Sequence, residues 1–548
     1  MDDRSGARGK AEARTAFLLE QATMPGAAVA DLLCDRHDPS IPIYREISVR
    51  GECETMSIGQ LAEASRRLAS ALRALGIRPG DRVATLMGKG VSLVTALLAI
   101  WRTGAVHVPL FTAFARDAIT LRVARSGARL IFCDGAYREK LVDCDDRRVI
   151  VLGTAGLGDH SMQALLQTRD DGLPAQGCTP GTPIIEIYTS GTTGAPKGVI
   201  VPARALAAFQ AYAEFGLDLR SDDLFWNAAD PGWGYGLYFG IVATLSTGTP
   251  SLIMKGGFSA ERTIEALHRE GVTNFAAAPT AYRAIRAEWP AGTSLRLRCA
   301  SSAGEPLPPD LIDWSARMLG TPIRDHFGQT ETSMIVNNHH HPLLRRALKP
   351  GSMGQAAPGW FVRVLNMDAD REAASGEIGR LAILVEKSPF FWFSGYSGDA
   401  EKSREKFTSD RRWYLTGDLA ALDDEGYFFF SSRDDDVILM AGYRIGPAEV
   451  EAVLEEHPAV AECAVIAAPD DLRGEVLEAC IVPAHGHRRG ARLAQELQQW
   501  VKERYAAHAY PRRIHWRESL PRTPSGKVQR FVLRRELAAA IKRPLDAG

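Results

Sequence analysis

A short loop rich in glycine and hydroxyl residues constrains this chain more than any other feature. It spans residues 188–198 and reads Tyr-Thr-Ser-Gly-Thr-Thr-Gly-Ala-Pro-Lys-Gly. An apolar, strand-like segment (184–188) precedes it and a helix-like segment (204–212) follows it. We therefore predict a strand-to-helix loop of an α/β fold. Glycines at such a turn let backbone N–H groups and hydroxyls converge on phosphate oxygens, which indicates a polyphosphate site.

The loop is not a Walker A motif. That motif requires a glycine-lysine pair after a glycine and four further residues. Pro196 stands at the decisive position after Gly191. Taken alone, the segment could equally be a flexible surface loop of small polar residues, so the rest of the chain must decide between the two interpretations.

Length, charge and hydropathy narrow the class of protein. A chain of 548 residues exceeds what one hydrophobic core usually organises, so we expect several subdomains. A formal net charge of -1 argues against a general binder of nucleic acid or of anionic membranes, and we expect small-molecule partners. The longest apolar run, residues 91–101, is too short to span a bilayer and predicts a buried helix.

Cysteines and the N-terminus indicate the compartment. Eight scattered cysteines without a CxxC pair favour reduced thiols over disulfides or zinc. The first residues lack the apolar core of a secretory signal, so we expect a cytoplasmic protein whose residues 1–16 form a disordered tail. The histidines at 339–341 lack metal-ligand spacing, and we expect them to lie in an exposed polar loop.

The pattern of elements predicts an α/β protein. Strand-like and helical runs alternate up to about residue 350, as in largely parallel sheets, and short antiparallel strands follow. A polar stretch at 432–436 then precedes a compact tail. We predict a large N-terminal domain (17–434) of mainly parallel sheets with helices and a small β-rich subdomain, followed by a small, mobile α+β C-terminal domain (435–548).

Several polar motifs downstream could complete a nucleotide site. In the run Asp-His-Phe-Gly-Gln-Thr-Glu at 325–331, Phe327 could stack on adenine and Glu331 could hold magnesium through oxygen ligation. Taken singly, a phenylalanine before a turn could also be a core residue, and an exposed glutamate could simply be solvated.

Three charged residues raise the same question. Asp418 follows a glycine and could accept both ribose hydroxyls, or it could be an ordinary turn aspartate. Arg433 could pair with phosphate or ribose, or form a surface salt bridge. Lys527 is a lone cation on a Pro/Gly-rich tip, and most such lysines are solvated.

Together these motifs resemble a known family. Segments 188–197, 304–306, 327–331, 414–418, 433–444 and 521–527 occur in the order and approximate spacing of the adenylate-forming, AMP-binding acyl-CoA synthetase superfamily. The resemblance covers nearly the entire chain. Segments 229–238, 349–354 and 508–512 look like the acetyl- and medium-chain acyl-CoA synthetase branch.

This resemblance implies an ATP-dependent acyl-CoA synthetase, an acid–thiol ligase. A carboxylate would attack the α-phosphate of Mg-ATP to give acyl-AMP and pyrophosphate, and the thiol of CoA would then displace AMP. The cofactor would be Mg2+, and ATP and CoA would be co-substrates. The N-terminal domain would be the adenylation domain, and the C-terminal domain would carry the catalytic lysine.

The resemblance also implies roles for individual residues. The catalytic residues would be Lys527, Glu331 and Thr189, with Glu331 as the magnesium ligand. Asp435 would be the hinge of the C-terminal domain, and Gly442 and Tyr443 would bind CoA. ATP would be bound by Thr189, Ser190, Gly191, Thr192, Thr193, Gly194, Lys197, Gly304, Glu305, Pro306, Asp325, His326, Phe327, Gln329, Thr330, Asp418, Arg433 and Arg444. The acyl pocket would comprise Trp233, Gly234, Tyr235, Ala303 and Gly328.

Substrate size and regulation follow from two positions. In acetate-restricted members of the family, a tryptophan that closes the acyl pocket stands at the position of Gly328, so the resemblance implies an acid larger than acetate, short- or medium-chain or aromatic.

Pro521 and Gly526-Lys527 match a pattern modified in related synthetases, which implies a protein lysine acyltransferase and deacylase as partners.

Two other functions stay open at this point. The fold could adenylate an acid and pass it to an amine, a carrier protein or another nucleophile instead of CoA. A nucleotide-binding regulator without catalysis is disfavoured, since Lys527, Glu331 and Asp418 are all present.

Overall fold

The computed structural model describes residues 2–144, 147–189, 196–433, 438–440, 443–470, 474–504, 509–522 and 528–541. The chain divides into two compact units. The first comprises residues 1–189, 196–362 and 384–412, and the second comprises residues 190–195, 363–383 and 413–548.

The α-helices of the described residues are numbered in chain order. They are α1 Asp2–Thr23, α2 Ile58–Ala74, α3 Val91–Arg102, α4 Arg116–Ser126, α5 Met162–Leu165, α6 Ala205–Ala211, α7 Ala243–Thr247, α8 Ala260–Arg269, α9 Pro279–Ala287, α10 Pro309–Met318, α11 Ala400–Arg404, α12 Pro447–Glu455, α13 Ala491–Arg504 and α14 Arg530–Ile541. Short π-helices cover Asp31–Asp35, Tyr212–Gly216 and Gly236–Val242, and 3-10 helices cover Gly135–Cys144 and Val385–Lys387.

The strands are numbered in the same way. They are β1 Tyr44–Ile47, β2 Cys53–Met56, β3 Arg82–Leu86, β4 Val106–Pro109, β5 Leu130–Asp134, β6 Arg148–Leu152, β7 His160–Ser161, β8 Pro183–Thr189, β9 Lys197–Pro202, β10 Phe225–Asn227, β11 Ser251–Met254, β12 Asn274–Ala277, β13 Cys299–Ala303, β14 Arg324–Gln329, β15 Ser333–Asn337, β16 Ser352–Ala356, β17 Val362–Leu365, β18 Gly379–Leu384, β19 Tyr396–Ser397, β20 Trp413–Leu422, β21 Phe428–Arg433, β22 Ile438–Met440, β23 Tyr443–Ile445, β24 Val460–Asp470, β25 Gly474–Pro483 and β26 Arg513–Trp516.

The first unit contains two mainly parallel sheets. One has the order β2-β1-β11-β10-β12-β13-β14-β15-β16, in which the strands from β1 to β14 pair in parallel. The other has the order β19-β9-β8-β4-β3-β5-β6-β7, in which the strands from β8 to β7 pair in parallel. Strands such as β11 (Ser-Leu-Ile-Met), with all four residues buried, are mostly apolar because elements cover both sides of the sheet. The predicted buried helix at 91–101 is confirmed as α3, which is almost entirely buried.

The N-terminal residues do not form a disordered tail, so that prediction is wrong. Residues 2–23 form α1, and Ala11, Thr15, Leu18 and Ala22 share one buried face at helical spacing. Arg14 donates two hydrogen bonds, of 2.7 and 2.8 Å, to the carboxylate of Glu214. The pattern was missed because three of these four residues are small, and Leu18 is the one large apolar side chain among them.

The predicted strand-to-helix loop is also corrected. β8 pairs antiparallel with β9, with Thr189 opposite Lys197, and α6 begins only at Ala205. Residues 190–195 therefore connect two antiparallel strands. The sequence Lys-Gly-Val-Ile-Val-Pro of β9 carries the β-branched residues typical of a strand.

The second unit contains two smaller sheets. Strands β17, β18, β20 and β21 form one in that order. In the other, β22 pairs with β23 and β25, β24 pairs with β25, and β26 adds to β25 in parallel. Side chains of α12 and α13, among them Val450, Leu454 and Leu497, pack in the core with strand residues such as Val465 and Ile481. The predicted fold class is confirmed, whereas the boundary at 434/435 lies outside the described residues and stays a prediction.

Six of the eight cysteines are buried. Within the described ranges, no helix has the length and apolar character that a bilayer crossing requires.

Candidate active site

The site lies at one edge of the first unit's larger sheet. Strands β10, β12, β13 and β14 run parallel, so their carboxyl ends meet at the same edge, where ligands of α/β proteins bind. Ala303 at the end of β13 lies opposite His326 in β14. This register brings the segments 304–306 and 327–331 close together, and segment 228–235 follows β10 at the same edge.

A buried carboxylate, Glu331, is held at this edge by a tyrosine. The Tyr396 hydroxyl donates a 2.8 Å hydrogen bond to Glu331 Oε1, and the glutamate is 8% exposed. Tyr396 lies in β19, which pairs with β9. The ammonium of Lys197, also in β9, lies 5.1 Å from the centre of the Tyr396 ring, within reach of a cation–π interaction.

Tyr396 was not identified from the sequence. It ends an aromatic-rich run, residues 390–396, in which it is the one aromatic residue with a hydroxyl. It packs edge-to-face on Phe393, with ring centres 5.1 Å apart. The tyrosine hydroxyl at the end of an apolar run was the one sequence signal for this residue. Its hydrogen bond to Glu331 depends on the β9–β19 pairing, which the sequence alone does not predict.

The donor set around Glu331 fits a magnesium ion that arrives with a nucleotide. Among the described residues, no group of three or more His, Cys, Asp or Glu side chains is placed to hold a metal. Mg2+ is commonly bound by one or two carboxylates together with phosphate oxygens and water. One buried carboxylate therefore suits this ion better than a preformed protein cage would.

The residues expected around adenine occupy two neighbouring strand ends. Gly304 and Pro306 are exposed and Glu305 and Phe327 are half-buried. The Glu305 carboxylate accepts hydrogen bonds of 2.8 and 2.9 Å from the Thr280 hydroxyl. Gly304 adopts a φ of +98°, a conformation that favours glycine at this turn.

Two polar neighbours in β14 are perturbed by burial. Burial raises the pKa of the Asp325 carboxyl well above its ordinary range. Burial also lowers the pKa of His326 to about 3, so the imidazole is neutral at physiological pH. Gln329 and Thr330, next along the chain, are half-buried.

Gly328 occupies a position where a side chain has no room. A Cβ built there would collide with the Ser333 carbonyl oxygen and approach the Met334 Cα to 2.6 Å and its sulfur to 2.5 Å. The pairing of β14 with β15 is irregular between Phe327 and Gly328. Ser333 adopts a φ of +74°. The hairpin thus closes tightly over this glycine.

The other expected acyl-pocket residues lie near that hairpin or in its unit. A Cβ on Gly234 would lie 3.4 Å from Thr330 Oγ1, an ordinary contact. Trp233 packs against Phe111 and Phe114 with ring centres 5.3 and 5.4 Å apart. Ala303 is buried at the end of β13.

The expected ribose ligand lies in the second unit. Asp418 in β20 lies opposite Arg433 in β21, and Arg433 Nη1 donates a 3.2 Å hydrogen bond to Asp418 Oδ1. Asp418 is 4% exposed, so its charge is stabilised by a partner rather than by water. Arg444 lies in β23, opposite Leu439.

Several expected site residues lie outside the described residues and stay predictions. They are Ser190, Gly191, Thr192, Thr193, Gly194, Asp435, Gly442 and Lys527. Of the phosphate loop, the structure describes Thr189, whose Oγ1 is 3.5 Å from the Lys197 carbonyl oxygen across the hairpin. Tyr443 begins β23.

The histidine triplet is not an exposed loop, and that expectation is wrong. His339 and His340 are buried, with 2% and 5% of their surfaces exposed. The His340 backbone N–H donates to the Gly216 carbonyl, and its Nε2 lies 3.1 Å from Ser301 Oγ. Burial lowers the pKa of His339 to about 4. The segment after β15 stays packed against the first unit, which its polar sequence did not indicate.

Known proteins resemble the chain along nearly its full length. The family model of AMP-binding enzymes matches residues 36–396, and that of the AMP-binding enzyme C-terminal domain matches residues 449–527. An uncharacterized acyl–CoA ligase of Bacillus subtilis (strain 168), YtcI, is 34% identical, over 88% of this chain and 91% of the relative.

Solved structures agree with this relationship. The crystal structure of a Brucella canis acyl-CoA synthetase is similar with a TM-score of 0.75 and 40% identity, covering 97% of this chain and 98% of that one. The anthranilate CoA ligase AuaEII in complex with anthranoyl-AMP gives a TM-score of 0.84 at 26% identity, covering 94% and 98%. The chain therefore belongs to the family of AMP-binding enzymes and, within it, is an AMP-forming acyl-CoA synthetase, an acid–thiol ligase.

Proposed function

We propose that this acyl-CoA synthetase acts on a carboxylic acid larger than acetate, either a short- or medium-chain acid or an aromatic one. The observation that carries the proposal is Gly328. A side chain there would collide with the backbone of Ser333 and Met334. The chain therefore cannot close its acyl pocket with a tryptophan at this position, as acetate-restricted members of the family do, unless the β14–β15 hairpin moves.

The proposed reaction has two steps. One carboxylate oxygen attacks the α-phosphorus of ATP, the bond to the β-phosphate breaks, and acyl-AMP and pyrophosphate form. The sulfur of CoA then attacks the acyl carbon, its proton is lost, and AMP leaves with the carboxylate oxygen that had joined it to the acyl group. Transfer to an amine or a carrier protein is not favoured, since the similar proteins are named acyl-CoA ligases or synthetases.

Several segments contribute to nucleotide binding in this proposal. Segments 304–306 and 325–330 hold adenine, and residues 189–194 with Lys197 hold the phosphates. Asp418 binds ribose with support from Arg433, and Arg444 also binds the nucleotide. Two observations support this assignment. Strands β13 and β14 end at the same edge of the sheet, and the buried carboxylate of Asp418 is paired with Arg433.

Glu331 is the proposed magnesium ligand. When bound, Mg2+ neutralises phosphate charge as the α-phosphate is attacked. Tyr396 orients the Glu331 carboxylate through its hydrogen bond. The Lys197 ammonium, 5.1 Å from the centre of the Tyr396 ring, adds positive charge near the phosphates.

The C-terminal residues serve the two steps in turn. Lys527 supplies positive charge to the adenylating transition state. Rotation about Asp435, at the boundary of domains 17–434 and 435–548, then brings Gly442 and Tyr443 to the CoA. Acylation of Lys527 by a protein acyltransferase removes its charge and stops the first step, and a deacylase restores it. The scattered, mostly buried cysteines support a reducing compartment, which we propose is the cytoplasm.

A pyrophosphate-release screen tests the proposal. Acetate, straight-chain acids from propionate to decanoate, and substituted benzoates are compared with ATP and Mg2+, with and without CoA. We expect a higher kcat/KM for at least one larger acid than for acetate, and a CoA thioester as the product. A clear preference for acetate, or a product other than the thioester, would contradict it.

A further inference from the structure

Three side chains beside the candidate acyl pocket form a continuous chain of hydrogen bonds. The Tyr212 hydroxyl oxygen lies 2.7 Å from His326 Nδ1 and 3.2 Å from the Tyr235 hydroxyl oxygen. The other imidazole nitrogen, His326 Nε2, lies 3.2 Å from the Asn338 carbonyl oxygen. We call Tyr235, Tyr212 and His326 the tyrosine–histidine relay.

The direction of every hydrogen bond in the relay is fixed by its buried end. The Asn338 carbonyl oxygen can only accept, so His326 Nε2 carries the proton. His326 is neutral because burial lowers its pKa to about 3, which leaves Nδ1 as an acceptor. The Tyr212 hydroxyl must therefore donate its one proton to His326.

The same reasoning reaches the outer end of the relay. Since the Tyr212 proton is committed to His326, the Tyr212 oxygen accepts, and the Tyr235 hydroxyl donates to it. Burial raises the pKa of both tyrosines, so both hydroxyls stay protonated at neutral pH. The Tyr235 oxygen then has no proton to offer, and its remaining lone pair can only accept.

Packing holds the relay in this arrangement. Tyr212 and His326 are 3% and 1% exposed, whereas Tyr235 is partly exposed. Phe239 packs against the rings of Tyr212 and Tyr235, with ring centres 4.4 and 5.4 Å away. Asn338 is itself anchored, since its side-chain amide donates to the Ser352 carbonyl at 2.7 Å.

The exposed end of the relay lies beside the hairpin of the candidate site. Gly234, the neighbour of Tyr235, is placed so that a Cβ would touch Thr330 Oγ1. One turn further along, the Tyr238 hydroxyl donates to the Thr330 carbonyl at 3.3 Å. The segment that carries Tyr235 is thus fixed against the turn that precedes Glu331.

We propose that the tyrosine–histidine relay makes the Tyr235 hydroxyl an obligatory hydrogen-bond acceptor, so that the enzyme selects acids whose acyl portion carries a hydroxyl or amino donor. This inference rests on the proposed function, because it assumes that Tyr235 lines the acyl pocket. An acid with a methyl group at the same place leaves the Tyr235 oxygen unpaired, and an acid with a carbonyl oxygen there meets it with a second acceptor. One neutral hydrogen bond corresponds to a preference of roughly tenfold in kcat/KM.

Matched acids test the inference. Pyrophosphate release is measured for pentanoates and benzoates that carry a hydroxyl, a methyl or an oxo substituent at each position in turn. We expect at least one position at which the wild-type enzyme prefers hydroxyl over methyl by roughly tenfold, and over oxo by more. Tyr235→Phe should abolish the preference for hydroxyl over methyl at that position.

Tyr212→Phe provides a readout that a merely structural role would not give. Without the Tyr212 oxygen, the Tyr235 hydroxyl is free to turn its proton toward the substrate. The oxo acid should then gain on the hydroxy acid, so that the selectivity between acceptor and donor shifts or reverses. Tyr44→Phe is the matched control: it removes another buried hydroxyl, bonded to Thr244 at 3.2 Å, and should leave the selectivity unchanged.

The outcomes separate this inference from the proposed function. If acids are activated but no position shows a hydroxyl preference that Tyr235→Phe removes, the inference is wrong and the proposed function stands. If Tyr212→Phe retains the wild-type ratio of hydroxy to oxo acid, the fixed direction of the relay is wrong. If no acid supports pyrophosphate release, both the proposed function and the inference fail.

Discussion

Replacement of Tyr396 by phenylalanine should impair magnesium-dependent adenylation. The change removes one oxygen and with it the 2.8 Å hydrogen bond to Glu331 Oε1. The aromatic ring stays, so the contact between the ring and the Lys197 ammonium, 5.1 Å from its centre, should survive. The variant therefore isolates the hydrogen bond from the rest of the cluster.

The magnitude follows from the burial of Glu331. A hydrogen bond to a charged group contributes about 1.5–3 kcal/mol. Glu331 is 8% exposed, so water compensates poorly for the lost donor. If the bond orients the carboxylate for the metal, kcat/KM should fall roughly tenfold to a hundredfold. The concentration of Mg2+ that gives half-maximal activity should rise in parallel.

The assay is the initial rate of pyrophosphate release at saturating ATP, measured over a range of acid concentrations at each of a series of Mg2+ concentrations. Tyr282→Phe serves as the control, because it removes a fully buried hydroxyl of the same unit that donates to the Phe275 and Ser301 carbonyls. Both variants should lose some thermal stability, whereas only Tyr396→Phe should change the Mg2+ dependence. An unchanged Mg2+ dependence in Tyr396→Phe would refute the assigned role of this hydrogen bond.

Three further sets of variants test other parts of the site. Gly234→Val, whose Cβ meets only ordinary contacts, should shorten the acids that the enzyme accepts, and kcat/KM should fall roughly fourfold for each methylene that no longer fits. Gly328→Ala should instead lower the free energy of unfolding by roughly 1–3 kcal/mol and reduce the activity with every acid to a similar extent. Asp418→Asn should raise the KM for ATP roughly tenfold with little change in the KM for the acid, since it keeps the shape but removes the charge; equal effects on both constants would contradict a ribose role. Lys527→Ala should abolish acyl-AMP formation but leave thioester synthesis from supplied acyl-AMP largely intact, as separate half-reaction assays would show; equal loss of both half-reactions would indicate a different role.

The sequence predicted the architecture well where the periodicity was strong. The apolar runs in α3, β8 and β24 identify their own elements, because burial on both faces requires continuous hydrophobic residues. Helix α1 was missed, because its buried face consists mostly of small residues. Strand β9 was missed because a glycine-rich loop is typical of a phosphate-binding turn that precedes a helix, so we expected a helix after it.

The site residues were expected from their motifs, and their roles stay predictions, whereas the contacts that support them were not foreseen. Glu331 stands in a recognisable string, but its partner Tyr396 comes from a strand 65 residues away. The relay likewise joins Tyr212 to His326 across 114 residues. Such partnerships depend on which strands pair, and a single sequence does not contain that information in a local pattern.

The transfer of oxygen from acid to AMP tests the central claim most directly. An acid accepted in the screen is labelled with 18O in both carboxylate oxygens and incubated with the enzyme, Mg-ATP and CoA. The proposed reaction predicts that AMP gains one 18O, that the acyl-CoA retains the other, and that pyrophosphate gains none. Label in pyrophosphate, or unlabelled AMP accompanying labelled thioester, would contradict an acyl-AMP intermediate.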